Sequence, residues 1–546
     1  MFKKVTPVIA TVVGIGLLFT ACSSQGKESS TAIVKGKSEA KQTIHLPYIA
    51  EIPTMDVTKA TDGESMNVMR NVFEGLYTLG DENKTVPGVA ESCDVSPDKK
   101  TYTFHLRETN WSNGTPVTAE DFVFSWKRAV NPDTAAEYAF LFFDIKNAKK
   151  INNKELSVDQ LGVKAIDNKT LEVQLEQPVP YFIHLTTFST FLPINEKYFK
   201  ERGKRYGLEA DQLLYNGAFT LENWKHEQGF QFKKNKKYWD AKAVKLDEIN
   251  FDIVKDKSTE INLYESGQLD RVGLTGEFVD KYRKDPNFKE RPEVAMQFLR
   301  LNQKNEILKN RYARLAISKA IDRKAFVETV LNNGSLPAEG IVPFNFTKNS
   351  EGKGFREENG DLVKGDVKSA EDNWQKAKEE LGKEQYSLEL LTSDNALSKR
   401  NAEYIKGELE KNLDGLTVNI KAQPRKQQIQ LLLNSDYEIG VDVWAPDIPD
   451  PITFLDLFTT NSTYNFDKYS SKEYDELIRK VKTDLAGDEK ERWEAMKKAE
   501  KILLSDGAVV PFYQQGRSYL QRSSIKGIVT NDFGAEFNYK WAEVSK

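Results

Sequence analysis

Residues 86–132 read VPGVAESCDVSPDKKTYTFHLRETNWSNGTPVTAEDFVFSWKRAVNP and place a strand, a turn and a helix in close succession. In TYTFHLR, apolar residues alternate with polar ones, which is the period-two pattern of a half-buried strand. SNGTP is a turn signal, and Thr118 behind it is positioned to cap a helix. That helix carries an apolar stripe of Phe122, Trp126 and Ala129. The stretch therefore predicts a mixed α/β structure.

Segments farther along the chain extend this pattern in both element types. TLEVQLE, at residues 170–176, repeats the strand alternation, and AVVPFYQQ near Pro511 is typical of a late strand. Residues 314–331 predict one amphipathic helix that closes at an Asn-Asn-Gly sequence. A further helix is predicted to begin at Ser470. Strands and helices alternate irregularly without a short repeat, which favours α/β architecture with several subdomains.

Length and charge restrict the kind of protein. The chain has 546 residues, 39% of them hydrophobic, which is long enough for two or three domains. It carries 78 basic residues against 82 acidic ones, without a basic stripe. Nucleic acid is therefore not an expected partner, and the near balance fits a protein working in solution outside the membrane.

The N-terminal segment has the pattern of a secretion signal. MFKK is followed by an apolar run and then by small residues before Cys22. The run is shorter than the roughly 20 residues of a spanning helix. It resembles the lipobox of bacterial lipoproteins, although Phe19 departs from the usual leucine. We expect a signal peptide over residues 1–21, lipidation of Cys22 and a flexible tether over residues 22–41. The folded body then begins near Gln42, and the protein is held on the extracellular face of the cell membrane.

Signatures of enzyme chemistry are absent from the mature sequence. The four histidines lack metal-binding spacing, and no GxSxG elbow, P-loop or GxGxxG is found. Cys93 has no evident base partner, so we interpret it as a buried small residue rather than a nucleophile. We therefore expect no catalytic residue, no metal and no cofactor.

The segment VWAPDIPDP, residues 443–451, combines a tryptophan, two aspartates and three prolines. Proline restricts its own φ and biases the preceding residue toward extended backbone, so this loop has few conformations. Asp447 and Asp450 are either ordinary turn formers or ligand-binding groups on a preset backbone. From these nine residues alone, the turn-forming interpretation is the more common one.

Taken together, the long segments resemble one protein family. The stretch at residues 86–132 is similar to a signature region of the extracellular solute-binding proteins of peptide ABC importers. LGVKAIDNKTLEVQLEQPVPYF, YNGAFTLENW, KNKKYWD, YESGQLD and ARLAISKAIDRKAFVETVLNNGSLPAEGIVP follow in that family's order. The resemblance runs from about Gln42 to the C-terminus. It is strongest to oligopeptide-binding lipoproteins of Gram-positive bacteria, which include receptors for peptide pheromones.

The resemblance implies a two-lobed, periplasmic-binding-protein-like (class II) α/β fold with a hinge and an extra inserted domain. The first lobe would comprise residues 42–75, 205–297 and 509–546. The inserted smaller domain would cover residues 76–204, and the second lobe residues 298–508. A peptide held between the lobes would favour the closed form, which the membrane permease would recognise.

The resemblance also implies the ligand contacts. Asp447 stands where relatives carry the aspartate that pairs with the α-ammonium group of the peptide, the one cation that all free peptides share. Backbone groups of Val441, Asp442, Val443 and Trp444 would bind an extended peptide as an added strand. Trp444 would also form a pocket wall.

Two further positions are less specific. Asn216 and Gly217 match a segment near the ligand in relatives, and a turn role is equally open for them. Enteric relatives that prefer very short peptides have an arginine near the position of Val441. Its absence here favours peptides longer than tripeptides, or apolar ones.

The expected function is a monomeric, lipid-anchored receptor that binds short peptides with a free N-terminus and delivers them to an ABC permease. A dedicated pheromone receptor of the same fold and a binder of a non-peptide solute, such as nickel, haem or a sugar, remain alternatives. Outside the family, a surface hydrolase or an adhesin is the rival. Nutrient uptake and pheromone sensing need the same contacts to the ammonium group and the backbone of a peptide, so the sequence leaves the choice between them open.

Overall fold

The computed structural model describes residues 41–545. The predicted signal peptide, Cys22 and residues 22–40 of the predicted tether lie outside this range. The first strand, Thr43–Tyr48, starts directly after Gln42, where the sequence predicts that the folded body begins.

Two four-stranded sheets lie in the first half of the chain. One contains, in spatial order, Thr43–Tyr48, Glu248–Ile253, Gly229–Lys234 and Phe219–Lys225, with a parallel first pair and antiparallel neighbours after it. The other is wholly antiparallel and contains Ala90–Val95, Thr101–Leu106, Thr170–Gln174 and Val163–Asp167. The strands predicted from TYTFHLR and TLEVQLE are both confirmed and pair directly with each other.

A seven-stranded sheet dominates the second half. Its spatial order is Arg271–Leu274, Val509–Gln521, Phe288–Leu301, Ile439–Trp444, Tyr386–Ser393 and Leu416–Gln423, and the short strand Leu336–Pro337 pairs with Val509–Gln521. Three small two-stranded sheets complete the set: Tyr77–Leu79 with Thr85–Pro87, Ile525–Lys526 with Glu543–Val544, and Val529–Thr530 with Phe537–Asn538.

Two long strands run through the seven-stranded sheet. Phe288–Leu301 and Val509–Gln521 pair antiparallel over most of their length. The register shifts between Pro292 and Met296, where the first strand has more residues than its partner, and such a bulge bends a strand locally. The late strand predicted near Pro511 is therefore confirmed and is longer than expected.

Helices cover the sheets on both halves. The longer ones are Gly63–Val72, Ala119–Val130, Glu196–Arg202, Lys257–Glu265, Arg311–Ala320, Val367–Leu381, Ala396–Asn412, Arg425–Leu433, Lys472–Lys482 and Glu489–Ser505. Short helices are Ala148–Asn152, Phe182–Leu185, Glu277–Tyr282, Glu306–Lys309, Arg323–Ala325, Phe355–Asn359 and Ile452–Leu455. Thr118 is the N-cap of Ala119–Val130 as predicted, and the Asp121 carboxylate accepts from its backbone N–H at 2.9 Å.

The single helix predicted over residues 314–331 is wrong. The helix ends at Ala320 because Ile321 and Asp322 adopt extended backbone. Asp322 then caps a new turn by accepting from the Ala325 N–H at 2.9 Å, and a wider helical turn, Phe326–Leu331, follows. Within an amphipathic pattern, an aspartate can either continue a helix or cap a new one. The pattern alone therefore did not show the break.

Two smaller differences concern single residues. The helix predicted from Ser470 starts at Lys472, with Ser471 as its N-cap. Cys93 is half-buried rather than buried, since its strand, Ala90–Val95, lies at the edge of its sheet. Burial and the neighbouring Asp94 raise the pKa of the Cys93 thiol to about 12, which disfavours a reactive thiolate.

Apolar side chains form separate cores in the two halves. One continuous cluster spans residues 44–251 and includes residues 525–542, so the antiparallel sheet of residues 90–174 shares its core with the first sheet. Two clusters lie mainly within residues 294–513, and Leu79 and Phe533 join one of them. The predicted domain limits stay a prediction. Within residues 41–545, no helix is long and apolar enough to cross a bilayer.

Candidate functional site

A cavity of about 640 Å³ lies where residues 140–185 face residues 444–492. Its walls come from the first core on one side and from the second half of the chain on the other. The side chains that line it include Phe140, Asp144, Tyr181, Trp444, Asp447 and Tyr464. A largely apolar cleft with a few charged groups at a boundary between structural units is typical of a ligand site.

The VWAPDIPDP loop forms part of this cavity and is fixed at several points. It continues from strand Ile439–Trp444, and Pro446 is buried. Ile448 packs against the core clusters of both halves. The Asp450 N–H donates to the Ile448 carbonyl at 2.9 Å, which closes a tight turn. The loop therefore has little freedom, as the three prolines indicate.

Asp450 is bound internally. Arg492 donates to its two carboxylate oxygens at 2.6 and 2.9 Å, and both side chains are buried. The same carboxylate accepts from the Ile452 N–H at 3.0 Å, at the start of helix Ile452–Leu455. Asp450 is thus a structural residue of the loop.

Asp447 has the opposite environment. Its half-buried carboxylate lines the cavity, and no hydrogen bond or ion pair reaches it from the described part of the chain. Burial raises the pKa of the Asp447 carboxyl above its usual range. The pKa of the Tyr138 hydroxyl is raised mainly by burial and secondly by the negative charge of Asp447, because Tyr138 lies near this carboxylate. A desolvated carboxylate without a partner is costly, and a bound cation would relieve that cost.

Trp444 stands beside Asp447 on the cavity wall. Its indole Nε1 donates to the Thr453 hydroxyl at 3.3 Å. Its ring meets the Tyr464 ring edge to face, with 5.1 Å between the centroids. The two aromatic rings give the cavity a rigid apolar surface.

Asp442 and Val441 are engaged within the protein. Asp442 accepts from Arg300 Nε at 2.7 Å, and the fully buried Arg300 also donates to Asp467 at 2.7 Å. The Val441 side chain lies in the core, and its carbonyl accepts from the Gln428 amide at 2.7 Å. A side chain at position 441 therefore points away from the cavity in this structure.

One edge of the strand that precedes the loop is open. Residues 439–444 pair with residues 296–301 of the long strand on one side. On the other side, Tyr386–Ser393 pairs only with Ile439 and Gly440. Beyond Gly440, no other strand among residues 41–545 pairs with that edge. The Val443 N–H donates to the Asp442 carboxylate at 2.9 Å.

Asn216 and Gly217 do not line the cavity. Asn216 is fully buried and binds the backbone of Glu74 through both ends of its amide, at 2.9 and 3.0 Å. Gly217 donates to the Val72 carbonyl, and a Cβ there would lie 2.6 Å from the Val72 backbone. Both residues join two distant backbone segments in this structure.

Sequence reasoning missed two polar groups of the cavity. Asp144 lines it with a carboxylate that no hydrogen bond or ion pair reaches from residues 41–545, and burial raises the pKa of this carboxyl while Lys482 lowers it. Tyr181 contributes a hydroxyl whose pKa is raised by burial. Asp144 stands in no motif, and one aspartate among 82 acidic residues carries no signal, whereas Tyr181 lies in the quoted segment LGVKAIDNKTLEVQLEQPVPYF but nothing in that segment singles it out. Within residues 41–545, no group of three His, Cys, Asp or Glu residues is placed to hold a metal ion.

A family sequence model, related sequences and solved structures all indicate the same group of proteins. The sequence model of the bacterial extracellular solute-binding proteins, family 5 (middle region), matches residues 84–466. The dipeptide-binding protein DppE of Bacillus subtilis is 32% identical over 548 residues, which is 99% of each chain. The crystal structure of the substrate-binding domain of a Bacillus anthracis oligopeptide ABC transporter has 48% identity and a TM-score of 0.75, covering 93% of this chain and 99% of that one.

A peptide pheromone receptor is also similar. The structure of PrgZ, solved for its mode of peptide binding, is 39% identical with a TM-score of 0.75, and covers 93% of this chain and 100% of its own. These likenesses confirm the predicted two-lobed α/β fold.

Proposed function

We propose that this chain, which belongs to the bacterial extracellular solute-binding proteins of family 5, binds short peptides between its lobes and delivers them to an ABC permease. The family expected from the sequence is confirmed, and it is a family of binding proteins rather than enzymes. Relatives named for dipeptide and oligopeptide binding support peptides as the ligand.

One observation carries the proposal. Asp447 presents a desolvated carboxylate, which has no partner among the described residues, to a cavity with aromatic walls. The free N-terminus of a peptide is a compact cation that suits this position, and closure around it would pair two charges that are otherwise poorly solvated. Asp450 is excluded from this role because Arg492 already holds it.

The strand that precedes the Asp447 loop, Ile439–Trp444, would supply further contacts to the peptide. An extended peptide would align with the open edge at residues 442–444, where its backbone amides pair as an added strand. Trp444 and Tyr464 would contact the first side chains of the peptide. Since the Val441 carbonyl is already bonded to Gln428, the peptide pairing would begin beyond it.

Lobe closure would couple binding to transport. We assign residues 42–75, 205–297 and 509–546 to the first lobe, residues 76–204 to its inserted domain and residues 298–508 to the second lobe. The register shift between Pro292 and Met296, in a long strand between the two halves, is a suitable hinge. A peptide that contacts both sides would stabilise the closed form that the permease recognises.

The remaining parts of the proposal rest on the N-terminal sequence. A lipid on Cys22 would hold a monomer at the extracellular face of the membrane, with residues 22–41 as a tether. The similarity to PrgZ favours pheromone binding as a second role for the same cleft.

Titration calorimetry of residues 41–546 against a pool of peptides of four to eight residues tests the function. We expect saturable binding, and mass spectrometry should recover the bound peptides intact. Cleaved products would indicate a hydrolase instead. Binding of nickel, haem or a sugar with no response to the peptide pool would assign the cleft to another solute.

A further inference from the structure

A second cavity, of about 430 Å³, lies apart from the Asp447 cavity and shares no lining residue with it. Its walls come from strand Thr43–Tyr48, the start of helix Gly63–Val72, strand Arg271–Leu274 and residues 517–539. Four aromatic side chains line it, namely Tyr48, Tyr519, Phe537 and Tyr539. The cavity is large enough for a small organic group and is mostly apolar.

Arg271 is the unusual residue of this cavity. Only 8% of it is exposed, and its guanidinium lies between the rings of Tyr519 and Phe537, at 4.1 and 4.8 Å from their centroids. No hydrogen bond or ion pair reaches this guanidinium from residues 41–545. Ring stacking favours the cation, while its N–H groups, which are directed in the guanidinium plane, have no protein acceptor among the described residues and stay accessible from the cavity.

The other buried arginines show how this chain ordinarily treats such a group. Arg300, Arg356 and Arg492 each bind a carboxylate. Arg314 and Arg323 donate to backbone carbonyls, at 2.8 and 2.6 Å for their shortest bonds. Among the buried arginines of the described residues, Arg271 alone lacks an acceptor, and it alone of them lines this cavity.

The other cationic side chains on the cavity wall already have carboxylate partners, and Glu536 also acts electrostatically on Arg271 without a direct ion pair. Lys257 is paired with Glu260, Arg517 with Glu536 at 2.7 Å, and Lys255 with Glu227 at 2.7 Å. Near Arg271, the Tyr539 hydroxyl also has no hydrogen bond within residues 41–545, and burial raises its pKa, so it remains a neutral donor.

Glu64 is the one carboxylate on the cavity wall that no described residue pairs with. It is half-buried at the start of its helix. A ligand that brings a carboxylate to Arg271 and an N–H or hydroxyl group toward Glu64 would satisfy both charges.

We propose that this cavity is a second binding site, which takes an organic carboxylate at Arg271 with its apolar part against the aromatic walls. Arg271 would bind the carboxylate through two parallel N–H donors, with the Tyr539 hydroxyl as a third donor. The carboxylate belongs either to a peptide held by the protein or to a separate small acid, and the two sources share the same site chemistry.

The test uses titration calorimetry with two probe sets. The first is phenylacetate against its neutral isostere phenylacetamide. The second is one five-residue peptide with a free or an amidated C-terminus, keeping a free N-terminus. In the wild type, a carboxylate form should bind roughly tenfold or more tightly than its neutral counterpart. Arg271→Gln should abolish that preference, and Arg271→Lys should restore part of it.

The variants include matched controls. Lys255→Gln removes one exposed positive charge from the same cavity and should leave the preference unchanged. Tyr539→Phe should reduce it without loss of fold, and thermal unfolding of each variant checks folding. A preference for phenylacetate over phenylacetamide would identify the ligand as a separate small acid. A preference for the peptide with a free C-terminus would identify the ligand as the C-terminal carboxylate of the peptide.

Two results would overturn the proposal: no carboxylate preference in either arm, or a preference that Arg271→Gln leaves intact. The phenylacetate arm is independent of Asp447, so it stays informative if the protein fails to bind peptides. Conversely, peptide binding that depends on Asp447 but not on Arg271 would support the proposed function and exclude the C-terminal carboxylate of that peptide as the ligand of the second site, which would then depend on the phenylacetate result.

Discussion

Arg492 holds Asp450 by two hydrogen bonds, of 2.6 and 2.9 Å, on the same loop whose Asp447 carboxylate has no partner within residues 41–545. The two aspartates are three residues apart and look equivalent in the sequence. Their environments separate their roles, because one carboxylate is neutralised inside the protein and the other faces a cavity. The stiff loop thus has one aspartate that supports it and one that is available to a ligand.

This difference predicts opposite effects on stability. Asp450→Asn leaves Arg492 buried without its charge partner and should lower the free energy of unfolding by about 3–5 kcal/mol. Asp447→Asn removes a carboxylate that burial disfavours, so it should leave stability within about 1 kcal/mol or raise it. Urea denaturation of both variants measures the contrast, and equal losses for the two would contradict it.

Peptide affinity should depend on pH through Asp447. Burial raises the pKa of its carboxyl in the free protein, whereas a bound ammonium favours the ionised form and lowers it. Affinity should therefore fall on acidification through the raised pKa, by up to tenfold per pH unit, and fall again above about pH 8 as the α-amino group of the peptide loses its proton.

Calorimetry across pH checks this profile, with Asp447→Asn as the control. The variant should lose the acidic limb and show a much weaker alkaline limb, because its affinity no longer depends strongly on the ammonium group of the peptide. An acidic limb that persists in Asp447→Asn would assign it to another group.

Asp442 supplies a control inside the same strand. Asp442→Asn weakens the buried Arg300 network and should lower the free energy of unfolding by about 1–3 kcal/mol. It should keep the preference for a free over an acetylated peptide N-terminus, because its carboxylate is turned to Arg300. Denaturation and calorimetry on one preparation test both parts, and loss of the preference in a folded Asp442→Asn protein would place the ammonium site elsewhere.

His184 predicts an acid sensitivity of the fold itself. Burial, with a smaller effect from Arg70, lowers the pKa of its imidazole from 6.5 to about 3. The unfolded chain therefore binds a proton that the native protein does not, so stability falls as the pH drops below about 6.5. The slope contributed by this residue is at most about 1.4 kcal/mol per pH unit.

Urea denaturation between about pH 6.5 and 5 measures this effect, and the comparison with a His184 variant separates it from buried carboxyls that titrate in the same window, such as Asp121, whose pKa burial raises to about 6. His184→Gln should flatten the slope in that window, whatever its effect on stability at neutral pH. An unchanged slope would show that His184 does not account for it.

Local patterns predicted much of the fold, for a physical reason. Strand Thr101–Leu106 and helix Ala119–Val130 bury one face each, and that burial leaves a periodic trace in the sequence. The break after Ala320 left no such trace, because it depends on Asp322 acting as a cap. The pairing of strands into a seven-stranded sheet depends on contacts between distant segments, which periodicity does not contain.

The candidate site divides in the same way. Resemblance pointed to Asp447 and Trp444, and both line the cavity. Whether Asp447 or Asp450 is free depends on Arg492, which lies 42 residues beyond Asp450. Asn216 and Gly217 were selected by a motif, but they contact the backbone of residues 72–74 and the Asn235 side chain and do not line the cavity. Arg271 shows no signal in sequence, since its lack of a partner is a property of the folded surroundings.

The central claim is that Asp447 binds the free N-terminus of a peptide, and calorimetry on a matched peptide pair tests it most directly. Wild type and Asp447→Asn are each titrated with one peptide, free and N-acetylated. We predict that acetylation and the substitution each cost the wild-type complex about 2–5 kcal/mol, and that acetylation costs the variant far less. Equal affinity of the wild type for the free and acetylated peptides would contradict the claim and leave Asp447 as a loop residue.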